Sequence, residues 1–263
     1  MPATQPLAIR RYDQLLVEIH PSADAAGRAA AERAAASLRW LIAQRGGARA
    51  AFATGTSQFP FVAALRKQTG IDWSRVEAFH LDEYLGMSAD HPASFRRWLI
   101  ERIQRPLRPG AFHFLQGDAP DAQAECARYA ALLEANPIDI GFVGIGENGH
   151  IAFNDPPVAD FDDPARVKVV TLDEACRRQQ LGEGWFPTLD AVPTHALSLT
   201  VPAIMAFARI VSVVPEARKA DAVRAALEGP LSTACPASIL RTHPHAILFL
   251  DRDSAAQLSG LEL

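Results

Sequence analysis

Cysteine is scarce in this sequence. The three cysteines, Cys126, Cys176 and Cys235, are far apart, and no two of them form a Cys-x-x-Cys pair. This spacing argues against a zinc knuckle or a thioredoxin-like redox motif. Three separate, reduced thiols are typical of a cytoplasmic protein.

Long apolar runs and a strong charge of one sign are also absent. No apolar run reaches the roughly 18 residues that a membrane-spanning helix needs, and residues 1–12 lack the pattern of a secretory signal. A formal charge of -4 and a pI of about 6.1 argue against nucleic acid or an anionic membrane as partner. We therefore expect a cytoplasmic protein without nucleic-acid or membrane partners. The same observations are compatible with binding of a small phosphorylated ligand and with assembly into a homo-oligomer.

What is present is the composition of a globular protein, with 49% hydrophobic and 21% charged residues. The length favours a single α/β domain over residues 1–263. An Ala-rich segment from Ser22 to Arg45 predicts a long helix, because Ser22 can cap its start and Gly46 can end it. Predicted strands follow at 49–53, 76–81, 138–145, 167–172, 196–201, 209–214 and 246–250, and predicted helices at 59–68, 94–104, 122–134 and 216–227. This alternation predicts a doubly wound, mostly parallel sheet with helices on both faces, a Rossmann-like three-layer sandwich whose ligands bind beyond the carboxyl ends of its strands.

A turn rich in small polar residues follows the first of these strands. Thr54, Gly55, Thr56 and Ser57 lead from the strand into a helix and expose N–H groups and hydroxyls there. Such an arrangement suits a phosphate group. It is neither a Walker loop nor a dinucleotide fingerprint, and a plain strand-to-helix turn explains the segment equally well.

Two neighbouring carboxylates, Asp82 and Glu83, close the next predicted strand. Adjacent carboxylates at a strand end can transfer protons if burial tunes the pKa of one of them. A solvated strand end or a helix-capping Asp is the alternative interpretation.

The most informative stretch is the glycine-rich segment 142–156, which ends a predicted buried strand. His150 lies in it, with Asn148 two residues earlier and Asp155 five residues later. A histidine with a carboxylate partner is a usual way to hold a proton shuttle in one tautomer. The alternatives are a core histidine and a metal site of Asp82, His150 and Asp155, whose spacing matches no standard ligand pattern.

With these motifs in hand, the chain resembles the glucosamine-6-phosphate deaminase family, which is related to the 6-phosphogluconolactonases. The phrases that carry the resemblance are Thr54-Gly55-Thr56-Ser57, Leu81-Asp82-Glu83-Tyr84, His91-Pro92-Ala93-Ser94-Phe95, Gly149-His150-Ile151-Ala152-Phe153-Asn154-Asp155-Pro156, Ala217-Arg218-Lys219-Ala220 and Pro236-Ala237-Ser238-Ile239-Leu240. They occur in the expected order over nearly the whole chain. The Ser57-Gln58-Phe59 variant of the first phrase indicates a divergent branch.

The resemblance implies roles for single residues. Asp82 matches the family's general base, and His150 matches the histidine that opens the sugar ring. Asn148 and Asp155 match the positions that orient this histidine. The residues implied for substrate binding are those of the phosphate loop, those of the two most specific phrases, and a lysine: Thr54, Gly55, Thr56, Ser57, Glu83, Gly149 and Lys219. No metal and no cofactor is expected.

The chain departs from the family pattern at three positions. Asn148 stands where many members carry Asp, so it can orient His150 but supplies no charge. Asp155 stands where Glu is usual, which shortens the reach to His150 by one methylene. The family's phosphate-binding Arg falls near Gly182, which cannot bind a phosphate. Arg178 is the substitute candidate, and a solvated helix residue is the other interpretation of it.

The reaction implied is aldose–ketose isomerisation with deamination, which converts glucosamine 6-phosphate to fructose 6-phosphate and ammonia by acid–base chemistry. A 6-phosphogluconolactonase-type hydrolase is the nearest alternative, although the phrase Ile151-Ala152-Phe153-Asn154 favours a deaminase. A non-catalytic sugar-phosphate-sensing module is the alternative from another class. The retention of both Asp82 and His150 argues against it.

Overall fold

The helix predicted from the Ala-rich segment is present in the computed structural model, which describes residues 5–261. It runs from Ala23 to Arg45 and is labelled α1. Ser22 caps it by accepting a hydrogen bond from the N–H of Ala25 at 3.3 Å, and Gly46 ends it in the left-handed conformation, with φ of 78°. The sequence-based prediction of this helix, with both of its caps, is therefore confirmed.

The remaining elements follow the predicted alternation, with several additions. The strands are β1 (Ala8–Tyr12), β2 (Leu15–His20), β3 (Ala48–Phe52), β4 (Val76–His80), β5 (Asp82–Tyr84), β6 (Ala111–His113), β7 (Ile140–Val143), β8 (Val167–Thr171), β9 (His195–Leu199), β10 (Ile210–Val214) and β11 (Ala246–Asp251). The other helices are α2 (Phe59–Leu65), α3 (Phe95–Leu99), α4 (Arg105–Leu107), α5 (Ala122–Ala135), α6 (Glu174–Gly182), α7 (Val201–Met205) and α8 (Ala220–Glu228). A π-helical turn, Ile100–Gln104, joins α3 to α4, and 3₁₀ turns at Thr56–Gln58 and Ala217–Lys219 precede α2 and α8. Over residues 5–261, no helix is both long enough and apolar enough to cross a membrane.

Eight strands form the main sheet in the order β1-β2-β11-β10-β7-β3-β4-β6. Every neighbouring pair is parallel except β1 and β2, which are antiparallel. The central register pairs Ala50 with Ile140 on one side and with Ala78 on the other. The prediction of a doubly wound, mostly parallel α/β sheet is confirmed.

Helices cover both faces of this sheet because successive strand residues point to opposite sides. Ala50 and Phe52 of β3 pack into a buried cluster with α1 and α2. Ala51, between them, packs into a second buried cluster with α5 and α8. The near-continuous apolar character of the central strands follows from this burial on two sides.

A second, three-stranded sheet has the order β5-β9-β8 and is antiparallel. The sequence pattern predicts that strands 167–172 and 196–201 belong to the parallel sheet, and this prediction is wrong, because both lie in the small antiparallel sheet. The very short β5 begins two residues after β4 ends, so the chain leaves the main sheet there and pairs Asp82 with Ser198. The small sheet therefore lies beyond the carboxyl edge of the main one and holds Asp82 in place.

The close contact between α1 and α2 predicts that replacing a glycine of α1 by alanine lowers the stability of the protein, although alanine has the higher helix propensity. A Cβ atom on Gly27 would lie 2.7 Å from the backbone N of Phe61 and 2.7 Å from the backbone C of Pro60. We expect Gly27→Ala to lower the free energy of unfolding by about 1–3 kcal/mol, because overpacking exceeds the gain of about 1 kcal/mol in helix propensity.

The matched control is Gly182→Ala in α6, where an added Cβ would meet no atom within 4 Å. This variant should be neutral or gain up to about 1 kcal/mol. Urea unfolding of both variants measures the difference. A stabilised Gly27→Ala protein would show that the two helices separate without cost.

Candidate active site

One cleft opens at the carboxyl edge of the main sheet, where β3, β4, β7 and β10 end. Six of the residues singled out from the sequence line it: Thr54, Gly55, Ser57, Asp82, His150 and Lys219. They come from four separate stretches of sequence and meet because the strands before them are parallel neighbours or, for Asp82, because β5 follows β4 directly. The cleft thus combines a carboxyl group, an imidazole and an amine.

His150 is oriented by a buried carboxylate. Its Nδ1 lies 2.9 Å from Oδ1 of Asp155, whose side chain is fully buried. Burial alone would raise the pKa of Asp155, but hydrogen bonds and charge from His150, with further hydrogen bonds from Asn148 and Asp173, hold it below its usual value. The carboxylate is therefore ionised, and at 2.9 Å it favours the tautomer of His150 with the proton on Nδ1, which leaves Nε2 for proton exchange.

Asn148 connects this pair to the backbone. Its Nδ2 donates to Asp155 Oδ1 at 3.0 Å and to Asp173 Oδ2 at 3.1 Å, and its Oδ1 accepts the backbone N–H of His150 at 3.1 Å. The backbone N–H of Asp173 donates in turn to the other oxygen of Asp155, at 3.1 Å. Asn148 thus positions both members of the pair, and an amide can bridge two carboxylates where a third carboxylate would repel them.

The imidazole of His150 lies directly against the backbone at Gly146. A Cβ atom there would fall 2.2 Å from both Cε1 and Nε2 of the ring. Only glycine permits this approach. Gly146 is therefore required sterically by the position of the histidine ring.

Asp82 is the second titratable group of the cleft. Burial, and to a lesser extent the charge of neighbouring Glu83, raises the pKa of Asp82 to about 8. A carboxylate that binds its proton this strongly is a far better base than an exposed aspartate when it is ionised. The group can therefore accept and return a proton near neutral pH.

The far end of the cleft gathers hydrogen-bond donors and positive charge. The guanidinium of Arg218 donates to the hydroxyls of Thr56 at 3.0 Å and Ser57 at 3.1 Å. Lys219 is 2% exposed and lines the cleft together with Ser57. Burial and the charge of Arg218 lower the pKa of Lys219 to about 8. Together with the N–H groups of the turn, these side chains can bind an anion.

Among the sequence-predicted binding residues, Thr56 does not itself line the cleft, although its neighbours Gly55 and Ser57 do, and three others lie away from it. Arg178 is exposed and pairs with Glu174 one helical turn away. Glu83 is fully buried, and its carboxylate accepts the N–H groups of Phe95 and Arg96 at the start of α3. Gly149 adopts φ of 83° and lies against Cys235, where a Cβ would fall 2.7 Å from the sulfur. All three residues therefore contact other parts of the structure and do not line the cleft.

Other residues reach the cleft without having been predicted. Gln58 lines it from the 3₁₀ turn before α2, and Gln179, Gln180 and Glu183 line it from α6 and the residue after it. Arg218 does not line the cleft but binds the hydroxyls of Thr56 and Ser57, and the sequence pattern assigns no role to it. A signal for it existed, since a cation beside a matched phosphate-binding lysine is itself a candidate. The residues of α6 carried no such signal.

One group of side chains has the composition of a metal site. Ligand-type atoms of His150, Asp155 and Cys176 lie within 4.8 Å of one another, and all three residues are buried. Two of its members are the His150–Asp155 pair already described. Burial, with the charge of Asp155, raises the pKa of the Cys176 thiol well above its usual value, which disfavours the thiolate that would bind a metal.

Comparison with known proteins gives concordant matches. The model of a family described as glucosamine-6-phosphate isomerases/6-phosphogluconolactonase matches residues 21–248. A glucosamine-6-phosphate deaminase of Exiguobacterium sp. is 40% identical over 73% of each chain. One of Arthrobacter sp. is 35% identical over 86% of this chain and 87% of the relative.

Solved structures of similar proteins agree with these matches. A monomeric glucosamine-6-phosphate deaminase superposes with a TM-score of 0.83 at 31% identity, over 91% of this chain and 98% of the other. A 6-phosphogluconolactonase from Shewanella baltica superposes with a TM-score of 0.74 at 20% identity, over 89% and 97% of the two chains. The second of these, at its low identity, supports the fold alone.

The buried carboxyl group of Asp82 should destabilise the protein as the pH rises. Its pKa is about 8 when folded and about 4 in an unfolded chain, so between these values the folded state keeps a proton that the unfolded state releases. Stability must then fall with rising pH across that window. We expect the Asp82→Asn substitution to remove this cost. The free energy of unfolding of the variant should exceed that of the parent by at least about 1 kcal/mol at pH 8, and by less at pH 5.

Denaturant unfolding at both pH values measures this difference. Asp253→Asn, which neutralises an exposed carboxylate, is the control and should change little at either pH. A stability difference for Asp82→Asn that does not grow between pH 5 and pH 8 would contradict the raised pKa.

Proposed function

The chain belongs to the family of glucosamine-6-phosphate isomerases and 6-phosphogluconolactonases, and we propose that within it this chain is a glucosamine-6-phosphate deaminase. It would convert glucosamine 6-phosphate and water to fructose 6-phosphate and ammonia. The observation that carries the proposal is one cleft lined by Asp82, by the paired His150 and by Lys219. The relatives of that name, at 35–40% identity, support it.

The phosphate would bind at the end of the cleft formed by Lys219 and the turn after β3. Lys219 supplies a buried positive charge, and Thr54, Gly55 and Ser57 supply the polar edge beside it. A dianion held there fixes the direction of the sugar, so that binding energy far from the reacting carbons orients them. The reacting end then faces Asp82 and His150.

His150 would open the sugar ring. With Asp155 holding Nδ1, the Nε2 atom can take the proton of the anomeric hydroxyl and give it to the ring oxygen. The C–O bond of the ring breaks as the aldehyde forms. Asp155 and Asn148 act through His150 and are therefore positioning residues.

Asp82 would carry out the isomerisation. Its carboxylate takes the proton from C2, which bears the amino group, and returns it to C1. The resulting imine at C2 adds water and releases ammonia. Proton transfer by a positioned group of this kind contributes about 10²- to 10⁴-fold to the rate.

The assay that tests the proposal compares two substrates. We expect ammonia release from glucosamine 6-phosphate and little hydrolysis of 6-phosphogluconolactone. Asp82→Asn should lower kcat by about 10²- to 10⁴-fold, and Lys219→Ala should raise KM by at least about tenfold, because it removes a charge-assisted contact. Lactone hydrolysis without ammonia release would sink the proposal, and full activity of Asp82→Asn would remove Asp82 from the mechanism.

The pKa values of the two groups predict a narrow pH optimum. Asp82 must lose its proton to act as a base, so kcat/KM should fall below pH 8. Lys219 must keep its proton to bind the phosphate, so kcat/KM should also fall above pH 8. Lys219→Arg, whose guanidinium stays charged, should extend activity to higher pH. A flat profile from pH 6 to pH 10 would contradict both assignments.

A further inference from the structure

The anion-binding turn after β3 already has an anionic partner from the same chain. Glu183, the residue after α6, accepts the backbone N–H of Thr56 with its Oε2 at 3.4 Å. Its Oε1 lies 3.5 Å from Arg218 Nη1 and accepts a hydrogen bond from Gln179 Nε2 at 3.3 Å. The side chain is 6% exposed and lines the cleft. A carboxylate thus lies among the donors that the proposed function gives to the phosphate.

The two cations at this end of the cleft are neutralised very differently. Arg218 lies within ion-pair distance of three carboxylates, those of Glu147, Glu183 and Glu216. Within the part of the chain that the structure describes, Lys219 pairs with none of them, although it is 98% buried. A buried cation without a partner is costly. This end of the cleft therefore has an unbalanced positive charge at Lys219, while the carboxylate of Glu183 lies at Thr56.

We propose that Glu183 is a specificity-determining residue that competes with the phosphate of the substrate for the Thr56–Ser57 turn. A phosphate drawn to Lys219 and the turn would meet the Glu183 carboxylate at contact distance. Repulsion then either displaces the side chain or weakens binding. Only ligands with further contacts near Asp82 and His150 overcome this cost, so the cleft selects whole amino-sugar phosphates over small phosphate ions.

This inference rests on the proposed function, in which the turn holds a phosphate. The resemblance to the deaminases places a phosphate-binding arginine near Gly182, next to Glu183. The structure has at this point a side chain of the opposite charge. Glu183 therefore acts on recognition of the distal end of the substrate and does not touch the reacting carbons.

The test is the affinity for inorganic phosphate, measured by calorimetry on the full chain, because it needs no turnover. Glu183→Gln keeps the shape of the side chain and removes its charge. We expect it to bind inorganic phosphate about tenfold or more tighter than the parent protein, and to show a lower KM for glucosamine 6-phosphate. Glu183→Ala, which also removes the contact with Thr56, should shift both values in the same direction.

Glu174→Gln is the matched control. It removes one negative charge at an exposed position of α6, the helix that precedes Glu183, and should leave phosphate binding unchanged. Unchanged or weaker phosphate binding in both Glu183 variants overturns the inference, and so does a raised KM, which would mean that Glu183 binds the sugar. If the variants bind phosphate more tightly but the parent releases no ammonia, the competition of Glu183 for the turn stands, while the deaminase function and the selection for amino-sugar phosphates fail. If the parent releases ammonia and phosphate affinity does not change, only the inference fails.

Discussion

The parallel hydrogen bonding of β3, β4, β7 and β10 is the constraint on which the rest of the site depends. Parallel strands end at the same edge of a sheet, so the residues that follow them meet however far apart they lie in sequence. Here that edge brings together Thr54, Asp82, His150 and Lys219. Any shift of register among these strands would separate the carboxyl group, the imidazole and the amine.

Burial at that edge shifts the pKa values of acidic and basic side chains in opposite directions. Loss of water disfavours the charged form of Asp82 and of Lys219 alike, and it brings the pKa of each to about 8 from opposite directions. Asp155 is also buried, yet hydrogen bonds keep it ionised. The same desolvation therefore yields a strong base at one position and a fixed anion at another, according to the donors nearby.

The sequence predicted more of the site than of its surroundings. Asp82, His150 and Asp155 could be found because short motifs follow predicted strands, and the structure brings them to one cleft or to its wall. The sequence wrongly predicts that Glu83 contacts the ligand. Nothing in the local sequence distinguishes a carboxylate that caps a helix twelve residues later from one that binds a ligand. The antiparallel pairing of β8 with β9 has no local signal that separates it from the parallel strands. The contact of Glu183 with Thr56 joins residues 127 positions apart, and only the folded chain reveals it.

The close packing of His150 on the backbone at Gly146 also governs where water can reach the ring. The side chain of His150 is 10% exposed, and one side of the imidazole is closed by main-chain atoms. His150 also lines the cleft, so a sugar bound there would cover part of the surface that the ring still exposes. With the sugar bound, bulk water would have little access to the imidazole. The proton that His150 takes from one oxygen of the sugar would then go to another oxygen of the same molecule and would not exchange with the solvent.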